Sequence, residues 1–305
     1  MSERLLIVTP VRDEAGTIER VAAAVEAQTR PPDLWLVVDD GSRDETPRLL
    51  RALAAELPFM RVAGVDDDVA DSAAGLERGS EARAFNAGLR LAGWHGYDYV
   101  GKLDGDIELP PDYFERLLEA LRHDPRLGIA GGVFGERGRR GWRTVREPST
   151  HVAGALKLYR RDCLLEIGGI DERLGWDTAD ELRARMRGWE TRALASLQAR
   201  HHRRWGSAGG RLRGCRRYGA CAHAIGEPAW WVVLRALKVS RARPPIASGL
   251  AFLAGYAAAR VRRAPRVEDD VARFARRELR ARLRGAATRK LAVPQGVLRS
   301  WRSGY

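Results

Sequence analysis

The chain has 305 residues, 45% of them hydrophobic, and three cysteines, which is enough to bury a core as one large domain or two ordinary ones and too little cysteine for a disulfide scaffold. Its formal charge of +13 sits at one end: up to Ala199 there are 28 Lys and Arg against 35 Asp and Glu, and beyond it 25 against 5. The basic third faces phosphate, either on nucleic acid or on an anionic membrane surface.

Nearly all the cations are arginine, the lysines being Lys102, Lys157, Lys238 and Lys290. Cys215, Cys221 and His223 lack the paired spacing and the fourth ligand of a zinc site. The N-terminus has no signal-peptide layout and no stretch of 18 or more apolar residues is free of charge, so the expectation is a chain that is neither exported nor membrane-spanning.

Arg4–Thr9 reads as a buried strand ended by Pro10. Ile18, Val21, Ala22 and Val25 follow at helical spacing. Leu34–Val38 is a second strand running out into Asp39-Asp40-Gly41-Ser42, and Thr46-Pro47 opens a helix as N-cap and first-turn proline, with Leu49, Leu50, Leu53 and Leu57 as its stripe. Met60–Val65 is a third strand, Ser80–Ala92 a helix with Ala82, Phe85 and Leu89 inward, and Tyr97–Leu103 a fourth strand. This alternation predicts a mostly parallel sheet with helices on both faces and ligands beyond the carboxyl ends of the strands.

Asp104-Gly105-Asp106 continues directly from the fourth strand. Two carboxylates there suit a hard divalent cation, Mg²⁺ or Mn²⁺, which takes one or two protein oxygens and completes its shell with phosphate and water. The glycine between them leaves room for a diphosphate at the backbone. Arg12-Asp13-Glu14, Asp39-Asp40 and Asp104/Asp106 all fall at strand ends and should converge on one crevice. No G-x-G-x-x-G opens the first helix and no G-x-x-x-x-G-K-[ST] occurs, so phosphate here is held by metal and side chains.

A helix from Pro110 to Arg122 packs Phe114, Leu117, Leu118 and Leu121, and Leu127–Phe134 is an apolar strand. Gly135–Pro148, rich in Gly and Arg, reads as a mobile loop over the site, Thr150–Tyr159 as a strand, and Arg161–Ile167 as a short helix stopped by Gly168-Gly169. Within Gly175–Trp189, Thr178 and Glu181 have capping-box spacing, so a helix should start at Ala179 and stop at Gly188. Asp180 would then lie in its first turn, where free N–H groups and the helix dipole favour the ionised carboxylate a general base needs. Thr191–Leu197 reads as a last strand. Ala229–Val239 and Ile246–Val261 are apolar but short and flanked by arginine, and Val267–Arg284 is an amphipathic helix with Val271, Phe274 and Ala275 on one face. Such segments pack in a core or lie in a bilayer interface rather than span it.

TPVRDEAGTIERVAAAVEAQT, then LVVDDGSRDET, then KLDGDIELPPDYFERLL resembles, in order and spacing, the nucleotide-binding half of glycosyltransferase family 2, inverting enzymes of the GT-A fold. The resemblance implies an α/β GT-A domain over 1–205, with its nucleotide-binding half at about 1–108 and its acceptor half at about 109–205, followed by a basic, mainly helical region over 206–305. It implies that Pro10 and Glu14 border the nucleoside pocket, that Asp40 hydrogen-bonds the base, and that Arg83 and Asn86 lie near the donor. Asp104 and Asp106 would hold Mg²⁺ or Mn²⁺ against the donor diphosphate. A histidine of the pair His201-His202, with His202 as the candidate, would add a metal or diphosphate contact, and Arg203 and Arg204 would neutralise the leaving group.

For the base, family members use an E-D or T-x-D-E motif after a Gly-Gly-x-Asp segment such as Gly168-Gly169-Ile170-Asp171. That selects Asp180, with Asp177 and Glu181 behind it, and Trp176 and Trp189 as neighbours of the acceptor sugar. The implied reaction is transfer from a nucleoside-diphosphate sugar, UDP-linked by analogy, to a hydroxyl of a glycan or lipid-linked acceptor. The arginine-flanked apolar segments of the C-terminal region lead separately to the expectation of peripheral membrane contact at the cytoplasmic face, with no nucleic acid bound. The alternatives are a sugar-1-phosphate nucleotidyltransferase and, from another class, a nucleic-acid-binding protein acting through the basic C-terminal region.

Overall fold

Strand side chains alternate between two faces, and the first half of the chain uses both. The computed structural model describes residues 3–64, 80–138, 141–145, 148–202, 210–241 and 244–292; Val65, Arg203, Arg204 and Trp205 lie outside them. Strands β1 (Leu5–Val11), β2 (Leu34–Asp39), β3 (Met60–Gly64) and β4 (Tyr99–Leu103) run parallel in the order β3-β2-β1-β4. Helices α1 (Ile18–Glu26) and α2 (Thr46–Glu56) cover one face, where Ile18, Val21, Val25 and Leu50 pack on Leu5, Ile7 and Trp35. Helix α3 (Ser80–Ala92) covers the other, setting Ala82, Phe85 and Leu89 on Leu6, Val8 and Leu36.

Two local expectations change. β1 does not stop at Pro10 but continues to Val11. Val11 O accepts from Asp40 N, so by alternation Pro10 faces β4, whose pairing has already ended at Val8 and Lys102; a missing N–H breaks no ladder there. Thr46 is not the N-cap of α2 but its first residue, after Glu45. Its buried hydroxyl instead accepts from Glu14 N at 2.8 Å, tying the end of β1 to α2.

The sheet continues with β5 (Ile107–Glu108), β6 (Leu127–Gly138), β7 (Gly141–Thr144), β8 (Leu156–Arg160) and β9 (Glu190–His201), in the order β4-β8-β6-β9-β5 with β7 paired to β6. β8 is antiparallel to β4 and β6, and β5 antiparallel to β9. Helices α4 (Tyr113–His123), α5 (Arg161–Glu166) and α6 (Trp176–Met186) pack on this half. The expected loop at Gly135–Pro148 is in its described part a hairpin, with Gly135 opposite Thr144 and Gly138 opposite Gly141.

Helix α6 begins three residues before the expected start, because Gly175 adopts a left-handed conformation (φ 79°) that opens the helix at Trp176. Thr178 and Glu181 therefore form no capping box. The Glu181 carboxylate accepts instead from Val152 N at 2.7 Å.

The C-terminal region is helical: α7 (Arg211–Ala224), α8 (Ala229–Val239), α9 (Ala247–Val261) and α10 (Asp269–Ala292). α7 and α9 cross backbone to backbone, since a Cβ on Gly219 would stand 1.8 Å from Phe252 O and one on Gly255 1.8 Å from Arg216 O. α10 lays Val271 and Ala272 on Ala179 and Leu182 of α6, flanked by ion pairs Arg183–Glu268 (2.8 Å) and Arg185–Glu278 (2.7 Å). Among the described residues no helix is long and apolar enough to cross a membrane.

Candidate active site

The parallel strands β1, β2 and β4 deliver their carboxyl ends to one edge, and the acidic clusters follow from that. Gly105 packs so tightly on the end of β1 that a Cβ there would lie 2.8 Å from Val11 Cγ1 and 3.2 Å from Glu14 Cγ. Asp104-Gly105-Asp106 and Glu14 are thereby brought together. Glu14 is buried and its carboxylate accepts from the Thr17 hydroxyl at 2.8 Å.

Beside them Asp40 is nearly closed off from solvent, with Arg83 as an ion-pair partner at 3.5 Å. Asp40 Oδ1 and Arg83 Nε are both buried without a hydrogen-bond partner among the described residues. Burial pushes the Asp40 carboxyl up, against the pull of Arg83 and Arg12. A buried acceptor and a buried donor without partners are what a nucleobase edge can satisfy. Asn86 is placed differently: its amide donates to Ile170 O (2.8 Å) and Glu172 Oε1 (3.1 Å), which ties α3 to the loop before α6.

Between the strand ends and α6 lies a cluster of buried charge. Lys102 of β4 and Lys157 of β8 are register partners, and neither side chain reaches solvent. Lys102 Nζ donates to Asp104, while Lys157 Nζ donates to the Asp177 carbonyl and to both oxygens of Asp180 at 2.9 and 3.0 Å. The Trp176 ring lies over both ammonium groups, 5.3 and 5.5 Å from its centroid, and its indole N–H donates to Glu81 at 3.1 Å. Burial lowers the affinity of each lysine for its proton, but the surrounding carboxylates reverse this and hold both cations charged.

Glu81, Asp104 and Asp106 surround Lys102, with Arg217 also acting on Glu81, and Asp104 is pushed up to about 6 by burial, with Glu81 and Asp106 adding to it and Lys102 opposing. Carboxylate oxygens are the donor type a hard divalent cation takes. His201 stands against Asp106 at 3.1 Å, with its Nδ1 buried and unpaired among the described residues. His202 is turned away, held by Glu108 at 2.7 Å and Arg20 at 3.1 Å. The geometry thus assigns the place beside Asp106 to His201 rather than His202, because alternation along β9 sends neighbouring side chains to opposite faces. Among the described residues no group of three or more His, Cys, Asp and Glu side chains is arranged to hold a metal ion.

The second group of buried carboxylates rests on α6. Asp180 is completely buried and accepts from Lys157, from the Tyr159 hydroxyl and from Glu181 N at 2.6 Å. Burial pushes it up to about 6 despite Lys157. Asp177 occupies the first turn that the sequence assigned to Asp180. It remains partly exposed, at the same helix end as Trp176. Trp176 itself is 4% exposed, so the indole anchors the lysines rather than lining an open pocket. Lys102, Lys157, Glu81, Tyr159 and His151, which contacts Glu181 at 3.1 Å, escaped the sequence reading. The signal for the lysines was composition, since two of the four in an arginine-dominated chain sit mid-strand among apolar residues.

Comparison with known proteins agrees with this architecture. Residues 6–166 match the model of Glycosyl transferase family 2. The undecaprenyl-phosphate mannosyltransferase of Micrococcus luteus is 30% identical over 185 residues, covering 59% of this chain and 69% of that protein. The poly-beta-1,6-N-acetyl-D-glucosamine synthase of Staphylococcus aureus is 30% identical over 120 residues, 39% of this chain, and the chain spans only 26% of that protein's length. Among solved structures, a mannosyltransferase from Pyrobaculum calidifontis in complex with GDP-Man and Mn²⁺ superposes with a TM-score of 0.57 at 20% identity, over 93% of this chain and 81% of the other. The fold they share is GT-A.

Proposed function

The chain belongs to glycosyl transferase family 2, and from that premise we propose that it moves a sugar, with inversion, from a nucleoside diphosphate to a hydroxyl of a glycan or lipid-linked acceptor. The observation that carries this reading is the junction of Asp104-Gly105-Asp106 with α6 through Lys102, Trp176 and Lys157. It ties the Asp104 turn to the N-terminus of α6 across two adjacent strands, so that a diphosphate held at Asp104 and Asp106 would lie at a set position relative to that helix.

In this reading Asp40 and Arg83 meet the base, Pro10 and Glu14 border the nucleoside, and UDP is the first nucleotide to try. Asp104 and Asp106, with His201 beside them, would hold Mg²⁺ or Mn²⁺, whose charge would neutralise the departing diphosphate. Asp177 takes the base role that the sequence reading gave to Asp180. It lies in the first turn of α6 and retains solvent access, whereas Asp180 has all its lone pairs directed at Lys157, Tyr159 and its own helix. The acceptor oxygen forms its bond to the anomeric carbon as the bond to the diphosphate oxygen breaks, and the hydroxyl proton passes to Asp177. The division into a nucleotide half, an acceptor half and a helical C-terminal region is part of the same proposal.

The test is turnover of UDP-, GDP-, TDP- and CMP-sugars with and without Mn²⁺, followed as release of free nucleotide. Metal-dependent release from one donor, increased by a polyprenyl phosphate or oligosaccharide, supports the reading. Folded protein that turns over none of them contradicts it.

A further inference from the structure

Large exposed hydrophobic side chains concentrate on two neighbouring helices that take no part in the site. On α8, Trp230, Val233, Leu234 and Leu237 recur at helical spacing and are 45–58% exposed. Ile246, immediately before α9, is 68% exposed, and Leu250 and Val261 are 61% and 82% exposed, with exposed Ala254 and Ala257 continuing the same stripe. The opposite faces are occupied: Val232 and Ala236 pack with Phe252 and Cys215. Gly249 seats α9 directly against Ala236 O and the Ser240 hydroxyl, so the two stripes belong to adjoining helices. A contiguous apolar surface on this scale marks a surface built to be covered.

The charge around it indicates by what. From Pro228 to Val267 the sequence has eight Lys and Arg and not one Asp or Glu. Lys238 and Arg241 are exposed at the end of α8, and Arg260, Arg262 and Arg263 at the end of α9. An apolar ridge bounded only by cations complements acyl chains beneath anionic headgroups. The helices cannot instead span the bilayer. Their 11 and 15 residues make about 16 and 22 Å at ~1.5 Å each, against a hydrocarbon core of roughly 30 Å. Trp230 has the ring type that settles at the headgroup boundary.

We propose that the α8–α9 face lies in the interface of an anionic lipid bilayer, with Leu234, Leu237, Ile246 and Leu250 below the headgroups, Trp230 at their boundary and the flanking arginines among the phosphates. This docking stands independently of the donor and base assignments.

The experiment is flotation of the full chain with vesicles of phosphatidylcholine alone or mixed with phosphatidylglycerol, at low and high salt. The parent floats with the anionic vesicles and barely with the neutral ones. Leu234→Glu/Leu250→Glu lowers the partition coefficient by at least ~10-fold while melting temperature and donor turnover stay at parental values. Vesicles with brominated acyl chains quench tryptophan emission of the parent, and Trp230→Phe loses most of that quenching. Equal flotation of the parent and the double variant overturns the proposal, as does indifference of the parent to lipid charge or quenching unchanged by Trp230→Phe. Light scattering that shows a dimer dissociated by the double variant also overturns it, by making this face a contact between two copies.

Discussion

Lys157 offers one positive charge to two buried carboxylates, Asp180 and Glu181. Glu181, though burial opposes it, is drawn down to about 2 by Lys157 and by hydrogen bonds from His151 and Val152 N–H, and Asp180 is left holding its proton up to about 6. The linkage sign follows: a raised folded pKa contributes stability below the ordinary value of 3.8 that is lost as pH rises through about 6. Asp180→Asn cannot titrate, so the melting temperature of this variant should fall less than the parent's between those pH values. Parallel melting curves across that window would contradict the assignment. Asp177→Asn, in contrast, should leave stability intact and reduce turnover by roughly 10²–10⁴-fold, with donor binding unchanged. Near-parental turnover would remove Asp177 from the mechanism. The sequence disclosed the acidic clusters at strand ends because a strand's end is a local property. It did not disclose Lys102 over Lys157, because that pairing depends on a register between strands more than fifty residues apart.

At the scale of elements, hydrophobic period located most helices and strands, and errors occurred where one residue's conformation overrode the pattern. Gly175 moved the start of α6 to Trp176, which transferred the first-turn argument from Asp180 to Asp177. α7 had no legible stripe, because its buried face is Gly214, Cys215, Gly219 and Ala222, whose small side chains serve close helix approach instead of apolar bulk. Gly219→Ala should therefore force α7 and α9 apart and lower the melting temperature by several degrees, corresponding to roughly 1–3 kcal/mol. A parental melting temperature would mean that the crossing is looser than described. The amphipathic face of α10 was legible, and it is spent on α6. Val271→Asp, placing a charge between α10 and Ala179/Leu182, should cost at least ~2 kcal/mol in denaturant unfolding. An unchanged midpoint would show that α10 is not docked on the acceptor helix.

For the whole molecule, the split of charge between an acidic catalytic part and a basic tail has a structural counterpart. Some tail acids are used inward, Glu268 and Glu278 pairing with Arg183 and Arg185 of α6, while the arginines ending α9 stay exposed. The sequence already favoured membrane over nucleic acid for that tail, from its short arginine-flanked apolar segments, and the exposed apolar residues on α8 and α9 are what the bilayer proposal adds to that reading. The site itself unites residues from β1, β2, β4, β8, α3, α6 and β9, which is why its outline could be read from motifs and its interior could not. The central claim is that Asp106 and its neighbours bind a nucleoside diphosphate through a divalent cation, and calorimetric titration of UDP and GDP into the parent and Asp106→Asn, each with and without Mn²⁺, tests it most directly. One of the two nucleotides should bind the parent only with Mn²⁺, and Asp106→Asn should weaken that binding at least ~10-fold. Binding of equal strength in both proteins, or binding indifferent to the metal, would contradict it.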